Sequence, residues 1–258
     1  LFLACGKGRW KLALVLFLGF SLGTKGYADS VDSGSIAFLH SALPVRSFGA
    51  VTTYLALHFF FNSNRSVLAA ILLGLSLALG LLINVEIGVA AGAATFLVLC
   101  GRWSNIKIFT CIAASFFFFL FLQLLLIAHF AGEPPQITKF FAFIGGFSNG
   151  FGGVPMPVFG LWVIIFSLAS ALAAYGFRRL IKGDETSLVY LYFGVLTLAA
   201  LPYYVNRSVN SGQLQLIILY LGIPLSIYLS RYISSWIKSA GDSSANVPLV
   251  LLLFWFLL

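Results

Sequence analysis

The sequence predicts an all-α protein, a polytopic bundle of about nine transmembrane helices. Two observations predict this fold class. Of the 258 residues, 60% are hydrophobic and only 9% are charged, against about 45–50% and about 25% in a soluble domain. The apolar residues also fall in runs approaching the roughly 20 residues that cross a bilayer. Such a chain cannot cover itself with polar surface, so we treat residues 1–258 as a single transmembrane domain.

The predicted spans follow one another along the chain, and several are shorter than 20 residues. They are Trp10–Gly23, Arg46–Phe61, Val67–Ile83, Ile87–Cys100, Ile106–Phe130, Pro157–Gly176, Leu188–Leu201, Leu214–Leu229 and Val247–Leu258. Because the chain begins at Leu1 and stops within an apolar run, we expect it to be a piece of a longer protein. The first span has an alternative interpretation as a signal peptide, since Lys7, Arg9 and Lys11 precede its apolar core.

The formal charge of +8 comes from 15 Lys and Arg against seven acids. In a soluble protein this excess would suggest nucleic acid, but here we predict no such partner, because cytoplasmic loops of membrane proteins are rich in cations. With the N-terminus inside, strict alternation leaves outside only Lys25, Arg46, Lys139 and Arg207. The other eleven cations lie inside, which predicts that the odd-numbered spans end on the non-cytoplasmic side of the membrane, and we expect this to be the plasma (inner) membrane.

The third and fourth spans form a hairpin whose predicted tip is residues 84–86. Its second arm, with about 14 residues and about 21 Å of helix, is shorter than the hydrocarbon core. Glu86 is therefore expected at membrane depth, facing a wet cavity lined by protein. The alternative is a tilted arm that leaves Glu86 solvated at the interface. Gly88 and Gly92 have GxxxG spacing, which predicts close helix packing.

Two other external segments carry polar residues. The first external loop holds Asp29 and Asp32, which share one face if the segment is helical and are otherwise solvated loop acids. Arg46 begins the next span at the outer interface, where its charge either meets a lipid phosphate or simply extends into the headgroup layer.

The segment after the seventh span combines tyrosines, amides and an arginine. An arginine binds phosphate in a bidentate manner and a tyrosine ring can stack on a sugar. The alternative is an aromatic belt at the headgroups. The residues concerned are Tyr203, Tyr204, Asn206 and Arg207.

Motifs of nucleotide-driven pumps and soluble hydrolases do not occur at usable positions. The three cysteines and three histidines are isolated, so no metal site is proposed from them. The remaining set of acids, amides and arginines on the external side suits chemistry on a lipid-linked phosphate or the passage of a polar solute.

At these residues the sequence resembles the polytopic glycosyltransferases of the GT-C fold. The similar features are the hairpin GLLINVEIG, the segment PYYVNRS, which resembles the YYxGRS-type external turn, and the stretches LPVRSFG and GGVPMP. The resemblance implies transfer of a sugar from a polyprenyl-phosphate carrier to a glycan or lipid acceptor on the non-cytoplasmic side.

The resemblance also implies roles for the candidate residues. Asp29 or Asp32 would be the base if Trp10–Gly23 is the first span, because a carboxylate must accept the proton of the acceptor hydroxyl. Arg207 and Arg46 would stabilise the departing lipid phosphate. Asn84 and Glu86 would orient the sugar or a bound divalent cation. The lining of the site would come from Tyr203, Tyr204 and Asn206.

Two alternatives of other classes stay open. A transporter or flippase would show inverted repeats and matching broken helices, and the short hairpin has no evident counterpart. The second alternative is a non-catalytic membrane subunit.

Overall fold

The computed structural model describes residues 11–14, 44–63, 66–102, 106–139, 142, 161–205 and 211–239. Within these ranges the regular structure is entirely helical. The helices are α1 (Pro44–Asn62), α2 (Val67–Ile83), α3 (Val85–Gly101), α4 (Ile106–Ala131), α5 (Leu161–Ile181), α6 (Leu188–Val205) and α7 (Ser211–Ser239). A 3-10 turn, Glu185–Ser187, leads into α6.

These helices coincide with seven of the nine predicted spans. The bounds of α2 are those predicted, whereas α3, α5 and α7 extend beyond the predicted apolar runs. Of the first predicted span, residues 11–14 are described and are helical. The ninth, Val247–Leu258, lies outside the described residues.

The described helices differ in their capacity to cross a bilayer. Three of them are long and apolar enough to cross a membrane: Ile106–Ala131, Trp162–Ile181 and Glu185–Pro202. The two hairpin arms, α2 and α3, are apolar but have 17 residues each, about 26 Å of helix against about 30 Å of hydrocarbon. Over the residues that the structure describes, the protein is therefore all-helical, with three candidate membrane-spanning helices.

Helices α1, α2 and α3 pack as consecutive antiparallel neighbours. A Cβ atom at Gly49 would lie 2.6 Å from the Cα of Gly80, so the backbones of α1 and α2 approach closely there. Four residues along α1, the buried hydroxyl of Thr53 accepts a 3.2 Å hydrogen bond from Ser76. These contacts set the register of α1 against α2, and small residues allow it, as is common between membrane helices.

The second half of the described chain is built on α6, whose residues 188–193 are almost fully buried. Helix α6 packs against α5, α3 and α7. Its Tyr192 hydroxyl donates a 2.8 Å hydrogen bond to the carbonyl of Ala50 in α1. A polar group buried in this way needs a partner, and this bond joins the two halves of the bundle.

An ionic cluster lies where α3 and α5 end. The guanidinium of Arg102 donates 3.2 Å hydrogen bonds to the Gly183 carbonyl and to the Glu185 carboxylate, both more than 80 residues away in sequence. Arg179 forms a 2.7 Å ion pair with Asp184. We call this end of the bundle the Arg102 end. The opposite end, with the α2–α3 tip, is the Asn84 end.

Asp184 provides a test of the ionic cluster. Burial alone would raise the pKa of its carboxyl, but hydrogen bonds from the Thr186 hydroxyl and N–H and the charge of Arg179 outweigh burial, so the pKa is lowered. A lowered folded-state pKa contributes stability above the unfolded pKa of about 3.9, and that stability is lost as pH falls through the folded value.

We therefore expect Asp184→Asn to lower the stability of the solubilised protein at pH 7 by about 1 kcal/mol. At a pH below the lowered folded-state pKa of Asp184 the variant and the parent should unfold alike, because the parent's carboxyl is then protonated too. Thermal unfolding across this pH range measures the difference. A constant difference at every pH would contradict the assignment to the charge of Asp184.

Candidate functional site

The predicted site residues fall into three groups. Asn84 and Glu86 are described with their side chains. Arg46, Tyr203 and Tyr204 lie in α1 and α6, where the structure describes the backbone. The predictions for Asp29, Asp32, Asn206 and Arg207 lie outside the described residues.

The helix ends that carry the predicted residues meet at the Asn84 end. The start of α1 lies beside the end of α2, since Gly49 packs on Gly80. Helix α6 begins beside Arg102, where α3 ends, so α6 runs antiparallel to α3 and finishes at the Asn84 end. The backbone positions of Arg46, Tyr203 and Tyr204 therefore share one end of the bundle with Asn84 and Glu86.

Asn84 forms the whole of the hairpin tip. Its backbone is extended, its N–H donates to the Gly80 carbonyl at 3.1 Å, and its carbonyl accepts from Gly88 N–H at 2.7 Å. Its Oδ1 caps α3 by accepting a 3.0 Å hydrogen bond from Ile87 N–H. Asn84 thus has a structural role that the sequence analysis did not assign, since asparagine satisfies the unpaired N–H groups of a helix start.

Glu86 lies in the first turn of α3 with an exposed side chain. The prediction that residues 84–86 form the tip, with the second arm starting at Ile87, was wrong by two residues. The cap at Asn84 starts the helix earlier, and a carboxylate in the first turn is favoured by the partial positive charge of the helix N-terminus. The hairpin still remains shorter than the hydrocarbon core.

The level of the hairpin tip relative to the end of α4 follows from the packing of α2 on α4. Helices α2 and α4 both start at the Arg102 end, and Gly74 of α2 lies against Ser115 of α4. From these contact points α2 extends about 14 Å to Ile83, whereas α4 extends about 24 Å to Ala131. The tip therefore ends about 10 Å short of the end of α4. Because α4 has 26 residues, about 39 Å of helix against about 30 Å of hydrocarbon, the membrane depth of Glu86 stays a prediction.

Gln123 is a candidate residue that the sequence analysis missed. It lies eleven positions, about three turns, after Ile112, the buried residue of α4, and therefore on the side that faces α2. Measured along the axis of α4 from Ser115, Gln123 lies at about the same level as the hairpin tip. Its Oε1 is buried and has no hydrogen-bond partner among the described residues. A buried amide oxygen is normally bonded, and a single glutamine within FFFFLFLQLLL was the signal available in the sequence.

An apolar groove of about 320 Å³ runs between α2, α3 and α4. Its lining extends from Leu81 and Val89 near the tip to Leu99 and Phe109 near the Arg102 end. Thr95 lies in the lining, and its hydroxyl donates to the Ala91 carbonyl at 2.8 Å. The groove therefore presents hydrocarbon along its length and begins beside Asn84 and Glu86.

The GxxxG pair has two different environments. A Cβ atom at Gly88 would overlap the backbone of Leu81 and Gly80, as expected for close packing within the hairpin. A Cβ atom at Gly92 would meet nothing within 4 Å. The packing prediction thus holds for Gly88. Gly92 instead lines the groove, where no neighbouring atom fills the space beside it.

Metal ligands are sparse in this region. Among the described residues no group of three or more His, Cys, Asp and Glu side chains could hold a metal ion.

The helices and the groove define a membrane-type helical bundle with a polar tip beside an apolar cleft. Comparisons of this chain with protein-family models, with curated proteins and with solved structures find no match. The function is therefore argued from the site.

Proposed function

We propose that this protein is a membrane glycosyltransferase of GT-C-like fold with about nine spans. It transfers a sugar from a polyprenyl-phosphate carrier to a glycan or lipid acceptor at the Asn84 end. This end faces the non-cytoplasmic side of the plasma (inner) membrane, because the cation-rich loops meet at the Arg102 end and such loops are cytoplasmic by preference.

One observation carries the proposal: a carboxylate and two amides lie at the level of the hairpin tip, about 10 Å short of the end of α4, where an apolar groove begins. Those polar groups are Glu86, Asn84 and Gln123. A polyprenyl-phosphate sugar has this same division between a long hydrocarbon chain and a polar head. The groove would hold the isoprenoid chain, and the polar tip would meet the phosphosugar. Polar groups at membrane depth, where the hairpin tip is predicted to lie, are costly unless they bind a polar ligand such as this head.

The remaining roles follow the chemistry of the transfer. The acceptor hydroxyl attacks the anomeric carbon, its proton passes to a carboxylate, and the bond to the lipid phosphate breaks. We assign Asp29 or Asp32 as the base and Arg207 with Arg46 as partners of the phosphate that leaves. Asn84 and Glu86 orient the sugar or a divalent cation, and Tyr203, Tyr204 and Asn206 line the site.

The test uses membranes that contain the full-length protein, supplied with a polyprenyl phosphate that carries a radiolabelled sugar. Transfer of the label to an endogenous glycan or lipid, absent from membranes without the protein, is the expected result. Uptake of a polar solute or movement of the intact labelled lipid across the bilayer, without transfer, would instead assign a transporter or flippase. If neither transfer nor transport is detected, the protein is assigned as a non-catalytic membrane subunit.

Gln123→Leu separates a role in binding from a role in folding. Removing a side chain whose buried Oε1 has no partner among the described residues should leave the melting temperature of the solubilised protein unchanged or raise it, since such an oxygen costs about 1–3 kcal/mol. If the amide binds the phosphosugar, transfer should fall about tenfold, as for the loss of one hydrogen bond to substrate. A loss of stability that accompanies the loss of transfer would contradict this assignment.

A further inference from the structure

The outward face of α5 changes from apolar to positively charged side chains at the Arg102 end. Along most of the helix this face exposes apolar side chains, among them Ile164, Phe166 and Leu168. Arg178 lies in the last turn and Lys182 directly follows the helix, four positions on and therefore on the same side. Both are exposed. An apolar helix face that ends in cations is the pattern of a helix leaving hydrocarbon for the headgroup layer.

The acids of this region do not neutralise the two cations. Asp184 is paired with Arg179, and Glu185 is paired with Arg102. Neither Arg178 nor Lys182 forms an ion pair within the described part of the chain. Two positive charges that no acid in these ranges compensates therefore remain beside the exposed side chains of Phe177 and Ile181, which are 40% and 58% accessible.

We propose that Arg178, Lys182, Phe177 and Ile181 form a binding site for an anionic phospholipid. The two cations bind the headgroup phosphate and its net negative charge, while the apolar side chains contact the acyl chains. Charge complementarity selects an anionic over a zwitterionic headgroup, because the site contributes two positive charges. This site lies at the end of the bundle opposite the polar tip and does not depend on the proposed transfer reaction.

The test is titration of the detergent-solubilised full chain with phosphatidylglycerol and, separately, with phosphatidylcholine, with bound lipid resolved by native mass spectrometry. A cation near an anionic lipid contributes about a fivefold factor in affinity. We therefore expect Arg178→Gln to weaken the first phosphatidylglycerol bound about fivefold, and the variant that also carries Lys182→Gln to weaken it about thirtyfold. Binding of phosphatidylcholine should not change.

Two controls keep the result specific. Lys139→Gln removes an exposed cation that follows α4 at the opposite end of the bundle, and it should leave phosphatidylglycerol affinity as it is. Arg178→Lys with Lys182→Arg preserves both charges and should retain affinity within about twofold. Unchanged phosphatidylglycerol affinity in the double glutamine variant would overturn the proposal. An equal loss for both lipids would overturn it too, because headgroup charge would then not be recognised.

Discussion

Glu86→Gln is expected to lower sugar transfer by about 10²-fold, because a group that orients the sugar or a bound cation fixes the geometry of the reacting atoms. Glutamine has nearly the same shape, so the hairpin should keep its fold, and loss of the favourable interaction of one charge with the dipole of α3 costs about 0.3–1 kcal/mol. The loss should therefore appear in the transfer rate of membranes that contain equal amounts of protein, with a melting temperature close to that of the parent.

Glu133→Gln is the matched control. Glu133 is also an exposed acid, but it follows the end of α4 rather than lying at the hairpin tip. We expect transfer by this variant to stay within about twofold of the parent. Undiminished transfer in Glu86→Gln would remove Glu86 from the site. A parallel loss in both variants would indicate a general effect of negative charge at this end.

Gly176→Ala is expected to be the most destabilising small substitution in the described helices. A methyl group at Gly176 would overlap the backbone N and Cα of Leu191 in α6. Backbone atoms of a buried helix cannot move aside as a flexible side chain can, so α5 and α6 must separate. Alanine gains about 1 kcal/mol of helix propensity, but forced overpacking of this kind costs about 1–3 kcal/mol and sometimes more. We expect the melting temperature in detergent to fall.

Gly92→Ala makes the same chemical change where the added methyl group meets no atom within 4 Å. It should therefore leave stability unchanged or raise it by up to about 1 kcal/mol. Comparing the two melting temperatures separates helix propensity from packing. Equal effects of the two substitutions would contradict the close approach of α5 and α6 at Gly176.

The helices were largely predictable from the sequence because each apolar run is punctuated by polar or helix-ending residues. Val67–Ile83 is bounded by the capping Ser66 and by Asn84, and the structure reproduces both limits. The start of α3 was mispredicted because the apolar pattern alone places the boundary after Glu86. Treating Asn84 as a helix cap followed by an acid in the first turn would have found it.

The site was less predictable, because proximity across the bundle has no local signal. Nothing in the spacing of Gln123 relates it to Asn84, since their common height depends on the packing of Gly74 against Ser115. The groove likewise results from the divergence of α3 and α4 beside Gly92. The pairing of Arg102 with Glu185 also had no local signal, because it joins segments 83 residues apart.

Photo-crosslinking with a polyprenyl phosphate that carries a diazirine in its isoprenoid chain tests the central claim most directly. Irradiation of membranes containing the full-length protein, followed by peptide mapping, should place the label on the groove segments 88–99 and 109–117. An excess of unlabelled polyprenyl-phosphate sugar should abolish that labelling. Labelling of the exposed outer face of α4 alone, at Phe118, Phe121 and Leu125, without competition by the unlabelled carrier, would contradict the account.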